Sequence, residues 1–368
     1  MKHIIAILLV VHGAIHLLGF LKGMGLVKNI PFNTPIGAGA AIFWGVSFLL
    51  FLLSVYLYYY HSLFWPYLMF LAILISQVLI ILSWSDAKYG TILNFLFLLI
   101  AIVQIGVIRF DNMVHQEVKN ILGQSITSTI INKSAAAEPL PLMVQKWLHR
   151  SGALARPPMQ HVLLKQKGSL KTTPTGAWMP FTAEQWYTVS PPAFVWKSEV
   201  TLWGPLSFFG RDKLEEGKGN MLIKLFGLIP VANAKNDPNT DKATLQRYMA
   251  EICWYPSAAL EPYMQWETID ELTVRGTMTL EEISVSGEYS FSPEGDLLEF
   301  ETKRYMGQGK DAPLEVWHIH NTSFKNFSGV RIPNKSEVSW KLAEGDFLWL
   351  RLEITDILYN QDVSYNYK

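Results

Sequence analysis

The sequence predicts two parts of different class: a membrane α-helical bundle with four transmembrane helices, and an α+β domain with a curved antiparallel sheet. Two observations predict this division. Asp, Glu, Lys and Arg are absent from residues 29–85 and 89–108, and about 20 mostly apolar residues are enough for a membrane-spanning helix. After residue 138, apolar and polar residues alternate, which is the period of half-buried strands. We therefore predict a transmembrane domain at 1–110, an amphipathic segment and linker at 111–137, and a soluble β-rich domain at 138–368.

The neutral net charge of the 368-residue chain hides an asymmetry between these parts. Residues 1–110 contain five basic residues and one acidic residue, a net charge of +4, which leaves −4 for the remainder (26 basic and 30 acidic residues). The single cysteine, Cys253, excludes an intramolecular disulfide framework. Composition thus favours a membrane module joined to a soluble module.

Four apolar segments are predicted to span the membrane: Ile4–Phe20, Ala38–Tyr59, Trp65–Trp84 and Thr91–Ile108. The first segment lacks a small-residue cleavage site after it and is followed by further spans, so we interpret it as retained rather than as a signal peptide. Lys and Arg residues near the span ends number three on each side, so the positive-inside rule does not decide the orientation.

The soluble part begins with a predicted helix, LMVQKWLHRSG, and continues with about eight to eleven strands. One helix, LQRYMAEICW, interrupts the strands, with Thr240 or Asp241 as its expected N-terminal cap and Pro256 after its end. A large sheet with one helix packed on it indicates an α+β layer or a half-open barrel.

His12 and His16 lie four residues apart in the first span and therefore share one helix face. Ionisable residues inside a membrane are costly and usually face a bundle interior or a cavity. Polar residues of the third and fourth spans, and of the loop between them, are expected on the same membrane side. The predicted membrane ligand site is His12, His16, Gln77, Trp84, Asp86, Lys88 and Asn94.

Three interpretations of this cluster remain open. The polar side chains can simply join the helices by hydrogen bonds. The cluster can bind a ligand such as a quinone or a lipid headgroup, with a histidine as donor or proton relay. The two imidazoles can also ligate one metal ion or a haem, although a bis-histidine haem needs ligands from opposite sides of the iron. We predict that both rings point into the bundle, toward Trp84 and Asp86.

The strands of the soluble part carry many aromatic residues, which can enclose an apolar ligand or simply pack against the helix. Arg247 and Glu251 are spaced to pair on that helix, and Arg304 and Arg331 can either pair with acidic groups or hold a headgroup. The predicted ligand site of this domain is Trp178, Trp186, Trp196, Arg247, Glu251, Trp266, Arg304, Arg331 and Trp340.

The sequence contains no phosphate-binding glycine motif, nucleophile elbow, zincin motif or basic nucleic-acid patch. His318 and His320 share a strand face, but no third ligand is identifiable nearby, so a structural role is favoured over a metal site. No catalytic motif and no cofactor are identified, which favours a protein that is not an enzyme and does not bind nucleic acid.

The stretches HGAIHLLGFLKGMGL and SWSDAKYGTILNF resemble the membrane half of an uncharacterised bacterial family, a four-helix unit similar to DoxX-like membrane proteins. The stretches GAWMPFTAEQWYTVSPPAFVW, GKGNMLIKLFGLIPV and LQRYMAEICWYPSAAL resemble the hallmark domain of that family, domain of unknown function 6544. This resemblance carries no established activity. A more distant topological similarity, to LolA-like domains that carry lipoproteins or acyl chains outside the cytoplasm, implies a half-barrel that handles apolar ligands.

The leading functional hypothesis is therefore membrane-anchored binding or handling of a lipid or lipoprotein by the β-rich domain. One alternative is a membrane redox or quinone-interacting subunit centred on His12 and His16. Another is a scaffold whose soluble domain binds a protein partner that the sequence does not identify. The expected location is the bacterial inner membrane, in contact with the lipid bilayer, with the C-terminal domain outside the cytoplasm.

Overall fold

A computed structural model of the protein describes residues 2–27, 33–126, 133–204 and 206–361. The chain forms two compact units. The first contains residues 1–110 and 226–228, and the second contains residues 111–225 and 229–368.

Four helices have the length and apolar composition to cross a membrane, as the sequence predicts. They are α1 (Lys2–Gly23), α2 (Ala38–Tyr59), α3 (Trp65–Leu82) and α5 (Gly90–Gln124), with the short helix α4 (Trp84–Ala87) before the last. Large apolar side chains remain exposed on them, among them Ile7 (61%), Leu49 (61%) and Ile92 (67%). Lipid tails are as apolar as leucine, so these exposed faces suit a bilayer.

Helix α5 is longer than the predicted fourth span. It continues without a break from Gly90 to Gln124, so the predicted span and the predicted amphipathic helix after it are one element. The stretch RFDNMVHQEVKNIL holds no proline and is rich in residues that tolerate a helix, which explains the continuity. Residues 127–132 of the predicted linker lie outside the described residues, and α6 (Lys133–Ala137) follows.

The second unit contains one antiparallel sheet of thirteen strands, in the order β6-β5-β4-β3-β2-β1-β13-β12-β11-β10-β9-β8-β7. The strands are β1 (His161–Leu170), β2 (Met179–Thr188), β3 (Ala193–Trp203), β4 (Leu206–Glu215), β5 (Lys218–Leu225), β6 (Ile229–Ala234), β7 (Met264–Thr268), β8 (Thr273–Leu280), β9 (Ile283–Phe291), β10 (Leu297–Tyr305), β11 (Leu314–Phe327), β12 (Val330–Leu342) and β13 (Gly345–Tyr359).

The sheet has more strands than predicted because single alternating stretches of the sequence form two strands each. The stretch TVRGTMTLEEISVSGEYSFS forms two strands, since Glu281 adopts a positive φ of 52° and reverses the chain. The stretch MLIKLFGLIPVANA also forms two strands, with positive φ at Phe226 and Gly227. Bulky or acidic side chains rarely adopt this conformation, so Glu281 and Phe226 do not indicate a turn in the sequence.

Helix α7 (Leu142–Arg150) precedes the sheet, and helix α8 (Pro238–Glu251) lies inside its curve. Helix α8 contacts β4 and β5 near one edge and also β9 and β10 near the other edge. A flat sheet could not reach one helix from both sides, so this is the curved antiparallel half-barrel packed on a helix that the sequence predicts. Edge strands β6 and β7 do not pair with each other, so the barrel is open.

The N-terminal cap of α8 differs from the prediction. The carboxylate of Asp237 accepts hydrogen bonds from the backbone N–H groups of Asn239 and Thr240, and Pro238 occupies the first helical position, as is common. Asp241, one of the two expected caps, instead accepts a hydrogen bond from Gly219 N at 2.7 Å. The helix therefore begins earlier than predicted and is tied to β5 by a buried carboxylate.

Candidate functional site

The membrane unit buries a hydrogen-bonded group of polar side chains, here called the membrane cluster. Its members come from three helices: His12 and His16 on α1, Ser76 and Gln77 on α3, and Thr91 and Asn94 on α5. His12 and His16 are each only 1% exposed. The prediction that both imidazoles turn into the bundle agrees with this geometry. Ser76, which lies beside the predicted Gln77, was not predicted.

The hydrogen bonds fix where the protons lie when both rings are neutral. The His16 Nδ1–H donates to the His12 carbonyl oxygen at 2.9 Å, so His16 Nε2 accepts from the Ser76 hydroxyl at 2.8 Å. The His12 Nε2–H donates to Asn94 Oδ1 at 2.9 Å. The Asn94 amide in turn donates to Ser76 Oγ at 2.9 Å. These tautomers follow from the partners of each ring nitrogen.

The fourth ring nitrogen of the two histidines is His12 Nδ1. His12 Nδ1 is buried and finds no hydrogen-bond partner among the described residues. In the tautomer above it is a lone-pair acceptor, and an unsatisfied buried acceptor costs about 1–3 kcal/mol. The rest of the cluster is satisfied, since Asn94 also donates to Gln77 Oε1 at 3.0 Å, and Gln77 donates to Thr91 Oγ1 at 3.1 Å.

Aromatic rings of α2 pack on the imidazoles. The His16 ring centroid lies 5.1 Å from that of Trp44, and the His12 centroid lies 5.0 Å from that of Phe51. Gly19 makes the approach of α2 possible, because a Cβ atom there would lie 2.4 Å from Trp44 Cδ2. The glycine on the histidine face thus allows close helix packing.

Three predicted members of the membrane site lie outside the cluster. The Asp86 carboxylate accepts hydrogen bonds from Thr34 Oγ1 at 2.6 Å and from the backbone N–H groups of Asn33 and Thr34. The imidazoles bond to Asn94 and Ser76 instead, so the prediction that they point toward Trp84 and Asp86 is wrong. The donors of Thr34 and Asn33 hold the pKa of Asp86 below its usual range. Trp84 is 53% exposed, and Lys88 is exposed with its Nζ over the Tyr89 ring. Of these three residues, Asp86 binds the chain segment after α1.

The second candidate site is a cavity of about 620 Å³ inside the curved sheet, bordered by α8. Apolar and aromatic side chains form most of its wall, including Phe181, Phe194, Phe208, Phe300 and Phe347. The tryptophans that border it are Trp196, Trp254, Trp317, Trp340 and Trp349.

The polar groups of the cavity centre on Arg247 of α8, and each nitrogen of its guanidinium has a partner. Nε donates to Glu251 Oε1 at 2.8 Å, one terminal nitrogen donates to Asp212 Oδ2 at 2.8 Å, and the other donates to Gln185 Oε1 at 3.2 Å. Glu251 Oε2 accepts from Gln185 Nε2 and from the Tyr187 hydroxyl, both at 2.9 Å. The predicted Arg247–Glu251 pair is thus part of a larger buried network.

Burial shifts the pKa values of this network. Desolvation raises the pKa of Asp212 although Arg247 and Arg211 lower it, and desolvation together with Glu251 raises the pKa of the Tyr187 hydroxyl well above its usual value. Tyr187 therefore stays a proton donor to Glu251.

Arg304 of β10 is the other guanidinium at the cavity. Its Nε donates to the Ala243 carbonyl oxygen at 3.1 Å, and its Cζ lies 4.6 Å from the Trp317 ring centroid and 5.9 Å from that of Trp340. Desolvation, followed by repulsion from Arg247, lowers the pKa of Arg304 to about 10. The group is therefore still a cation at neutral pH.

The structure brings together five of the nine predicted site residues of the soluble part. Trp196, Arg247, Glu251, Arg304 and Trp340 line the cavity. Asp212, Trp254, Trp317 and Trp349 also line it but were missed. Trp317 precedes His318 on β11. Strand alternation could have placed Trp317 on the inner face, because His318 and His320 share the opposite face.

The other four predicted residues lie elsewhere. Trp186 is on the face of β2 opposite to Gln185 and Tyr187, because successive strand residues point to opposite faces. Trp266 packs on Tyr289 in the core, with ring centroids 5.0 Å apart. The remaining two, Trp178 and Arg331, contact charged residues outside the cavity.

Trp178 lies before β2, beneath the Arg351 guanidinium at 5.0 Å. Arg331 pairs with both oxygens of Asp296 at 2.8 and 3.0 Å. His318 and His320 both approach Glu299 at 3.5 Å. Within the described ranges no group of three or more His, Cys, Asp or Glu side chains is placed to hold a metal ion.

Two solved structures show weak similarity to the chain. A DUF1329 family protein from Desulfovibrio piger is 10% identical over 61% of this chain and 95% of its own length, with a TM-score of 0.36. A Vibrio parahaemolyticus domain described as belonging to an outer membrane lipoprotein-sorting protein is 7% identical over 62% of this chain and 96% of its own, with a TM-score of 0.37.

No curated protein matches the sequence. The model of a family of unknown function, DUF6544, matches residues 129–352, which is more than half of the chain. All residues that line the cavity, from Gln166 to Leu352, lie within the matched region. By this match, the chain belongs to the DUF6544 family.

Proposed function

We propose that the protein is a membrane-anchored binding protein that holds an apolar ligand, the acyl part of a lipid or of a lipoprotein, in the cavity of its β-rich domain. The cavity of about 620 Å³ carries this proposal. Protein interiors have few voids larger than a water molecule, whereas ligand sites occupy about 300–1,000 Å³ and are mostly apolar with a few placed polar groups.

The polar groups at the cavity support binding rather than catalysis. The carboxylates and amides around Arg247 are occupied by one another, so they stabilise α8 against β2 and β4. Four transmembrane helices keep the domain at a bilayer, the source of acyl ligands.

Native mass spectrometry of the full chain, released from detergent, tests the proposal. We expect bound species with the masses of lipids or acylated peptides. Val338→Trp, which places an indole at the cavity wall, should remove these species. Ser339→Trp is the matched control, because Ser339 is on the opposite face of β12. A ligand-free spectrum of the unaltered protein would contradict the proposal, and a stable protein partner in its place would favour the scaffold alternative.

A second candidate function is quinone binding in the membrane unit, whose sequence resembles DoxX-like membrane proteins. The unpartnered His12 Nδ1 favours it, because a quinol hydroxyl could donate to this acceptor. Solvent extraction of the purified protein should then yield a quinone in equal molar amount, and His12→Leu should abolish it. Extraction of no quinone from the unaltered protein would exclude this candidate.

We also propose that the β-rich domain lies outside the cytoplasm. Support comes from the sequence, which contains no nucleotide-binding motif and shows a distant topological similarity to extracytoplasmic carriers. Protease added to spheroplasts should remove the domain, and full protection behind an intact inner membrane would place it in the cytoplasm.

A further inference from the structure

Arg304 brings a guanidinium group to the apolar cavity without a carboxylate partner. In the described part of the chain, no acidic side chain lies within 4.0 Å of its nitrogens, and its single hydrogen bond uses Nε. The two terminal nitrogens carry four N–H groups. Arg247, in the same cavity, has all three nitrogens bonded, so the free donors of Arg304 are not a general feature of this wall.

The strand register places Arg304 at one end of the cavity. In the paired strands, Arg304 is opposite Glu315, and no ion pair joins these two described side chains. Further along, Trp317 is opposite Trp340, and Trp340 is opposite Phe347. The segment after Tyr305, Met306–Gln308, also lines the cavity, and its residues Gly307 and Gln308 are exposed. Arg304 is therefore close along the chain to this exposed stretch of the cavity wall, and its guanidinium packs on the indoles of Trp317 and Trp340.

The charges that line the cavity do not balance. The two carboxylates of the cavity wall, Asp212 and Glu251, both pair with Arg247. The Lys171 ammonium donates to the Pro174 carbonyl oxygen on an exposed loop, so Arg304 is the cation of the wall that lacks a counter-ion among the residues that the structure describes. Indole faces stabilise the Arg304 cation in part, but a desolvated guanidinium binds most strongly to an oxyanion, which it can grip with two parallel hydrogen bonds.

We propose that the cavity ligand is an anionic amphiphile, a long alkyl chain that ends in a carboxylate or a phosphate, and that Arg304 binds the oxyanion while the chain lies among the aromatic side chains. This inference rests on the proposed function and names its ligand class. It also sets the direction of the ligand, with its headgroup beside residues 306–308.

Photo-crosslinking of the full chain in nanodiscs of zwitterionic lipid tests this inference. Four C16 probes with the same diazirine group would be compared at equal mole fraction: a carboxylate, a phosphate, an alcohol and a trimethylammonium. Crosslinks would be mapped by mass spectrometry to the peptides that line the cavity. Because charge-assisted hydrogen bonds contribute about 1.5–3 kcal/mol, we expect both anions to label these peptides at least about tenfold more than the alcohol.

Arg304→Gln should reduce the ratio of anion to alcohol labelling to about 1. Arg304→Lys should keep part of the preference, because the charge remains although the paired hydrogen bonds of the guanidinium are lost. Arg275→Gln, on an exposed part of β8, is the matched control and should leave the preference unchanged. If Arg304→Gln does not fold, the inference is still tested by the ratio of anion to alcohol labelling in the unaltered protein and in Arg304→Lys.

The outcomes separate this inference from the proposed function. Equal labelling of the cavity by the anions and the alcohol would overturn the role of the oxyanion and leave an apolar carrier. A preference for anions that survives Arg304→Gln would overturn the role of this residue. Loss of phosphate-probe labelling with millimolar inorganic phosphate would show a phosphate site rather than an amphiphile site. Labelling by none of the probes would overturn the proposed function itself.

Discussion

The membrane cluster joins six uncharged side chains when both imidazoles are neutral, whereas the network in the β-rich domain joins two carboxylates to a guanidinium, with a second guanidinium nearby. Both groups are buried among aromatic side chains, yet they use different chemistry. A membrane interior has no water to screen a charge, so hydrogen bonds between neutral groups suffice there. The cavity tolerates charges because each of the network's carboxylates has a cation beside it.

The comparison teaches where a single substitution should be costly. Removing a neutral partner in the membrane leaves an amide or hydroxyl unsatisfied, whereas removing a charged partner in the cavity leaves an uncompensated ion. The loss in free energy of unfolding should therefore be larger for a substitution in the charged network than for one in the membrane cluster.

The largest effect is expected for Glu251→Leu. This change removes the carboxylate that pairs with Arg247 at 2.8 Å and accepts from Tyr187 at 2.9 Å. Breaking a buried ion pair from one side costs about 3–5 kcal/mol, and we expect the lower end because Arg247 keeps Asp212. Denaturation of the full chain in mixed micelles, followed by tryptophan fluorescence, would measure it. A loss of less than about 1 kcal/mol would show that the pair behaves as a surface pair.

Asn94→Leu should have a smaller effect, of about 2 kcal/mol, because Asn94 bonds to three residues and hydrogen bonds between membrane helices average about 0.6 kcal/mol each. Ile15→Leu is the control on α1, since the Ile15 side chain is 45% exposed and should be replaced without cost. The same micelle unfolding assay serves for both. If Asn94→Leu destabilised the protein more than Glu251→Leu, the ranking of neutral and charged groups would be reversed.

Glu288→Gln, in an exposed pair with Arg275 at 3.0 Å, should change the free energy of unfolding by less than about 1 kcal/mol. Solvent already screens this pair, and 150 mM salt should reduce its small contribution further. A larger loss, resistant to salt, would show that exposed pairs on this sheet contribute as buried ones do.

Asp86→Asn should act locally and leave the histidine cluster unchanged. The Asp86 carboxylate holds the backbone N–H groups of Asn33 and Thr34, so their hydrogen exchange should accelerate in the variant. Because the folded pKa of Asp86 is lowered, its contribution is present above the unfolded value near 4 and is lost as the pH falls through the folded value. The hydrogen exchange of these two N–H groups in the unaltered protein should approach that of the variant only when the pH falls to the lowered pKa of Asp86. Equal exchange in both proteins at neutral pH would contradict this assignment.

The sequence by itself determined the two-part architecture and half of each site. Uncharged runs at 29–85 and 89–108 predict membrane helices, and alternation after residue 138 predicts a sheet. The i, i+4 spacing of His12 and His16, and of Arg247 and Glu251, placed each pair on one helix face, because spacing along one helix is a local property.

Tertiary structure decided which distant groups complete those pairs. Ser76 and Asp212 come from other elements, and their contacts depend on helix packing and on sheet curvature, which no local pattern encodes. The predicted direction of the imidazoles toward Asp86 was wrong for the same reason, since the Asp86 carboxylate binds backbone N–H groups of a loop and the rings bind Asn94 and Ser76. Alternation also gave two equal faces to β2, and only the curve of the sheet around α8 made the face of Tyr187 the inner one and left Trp186 on the other.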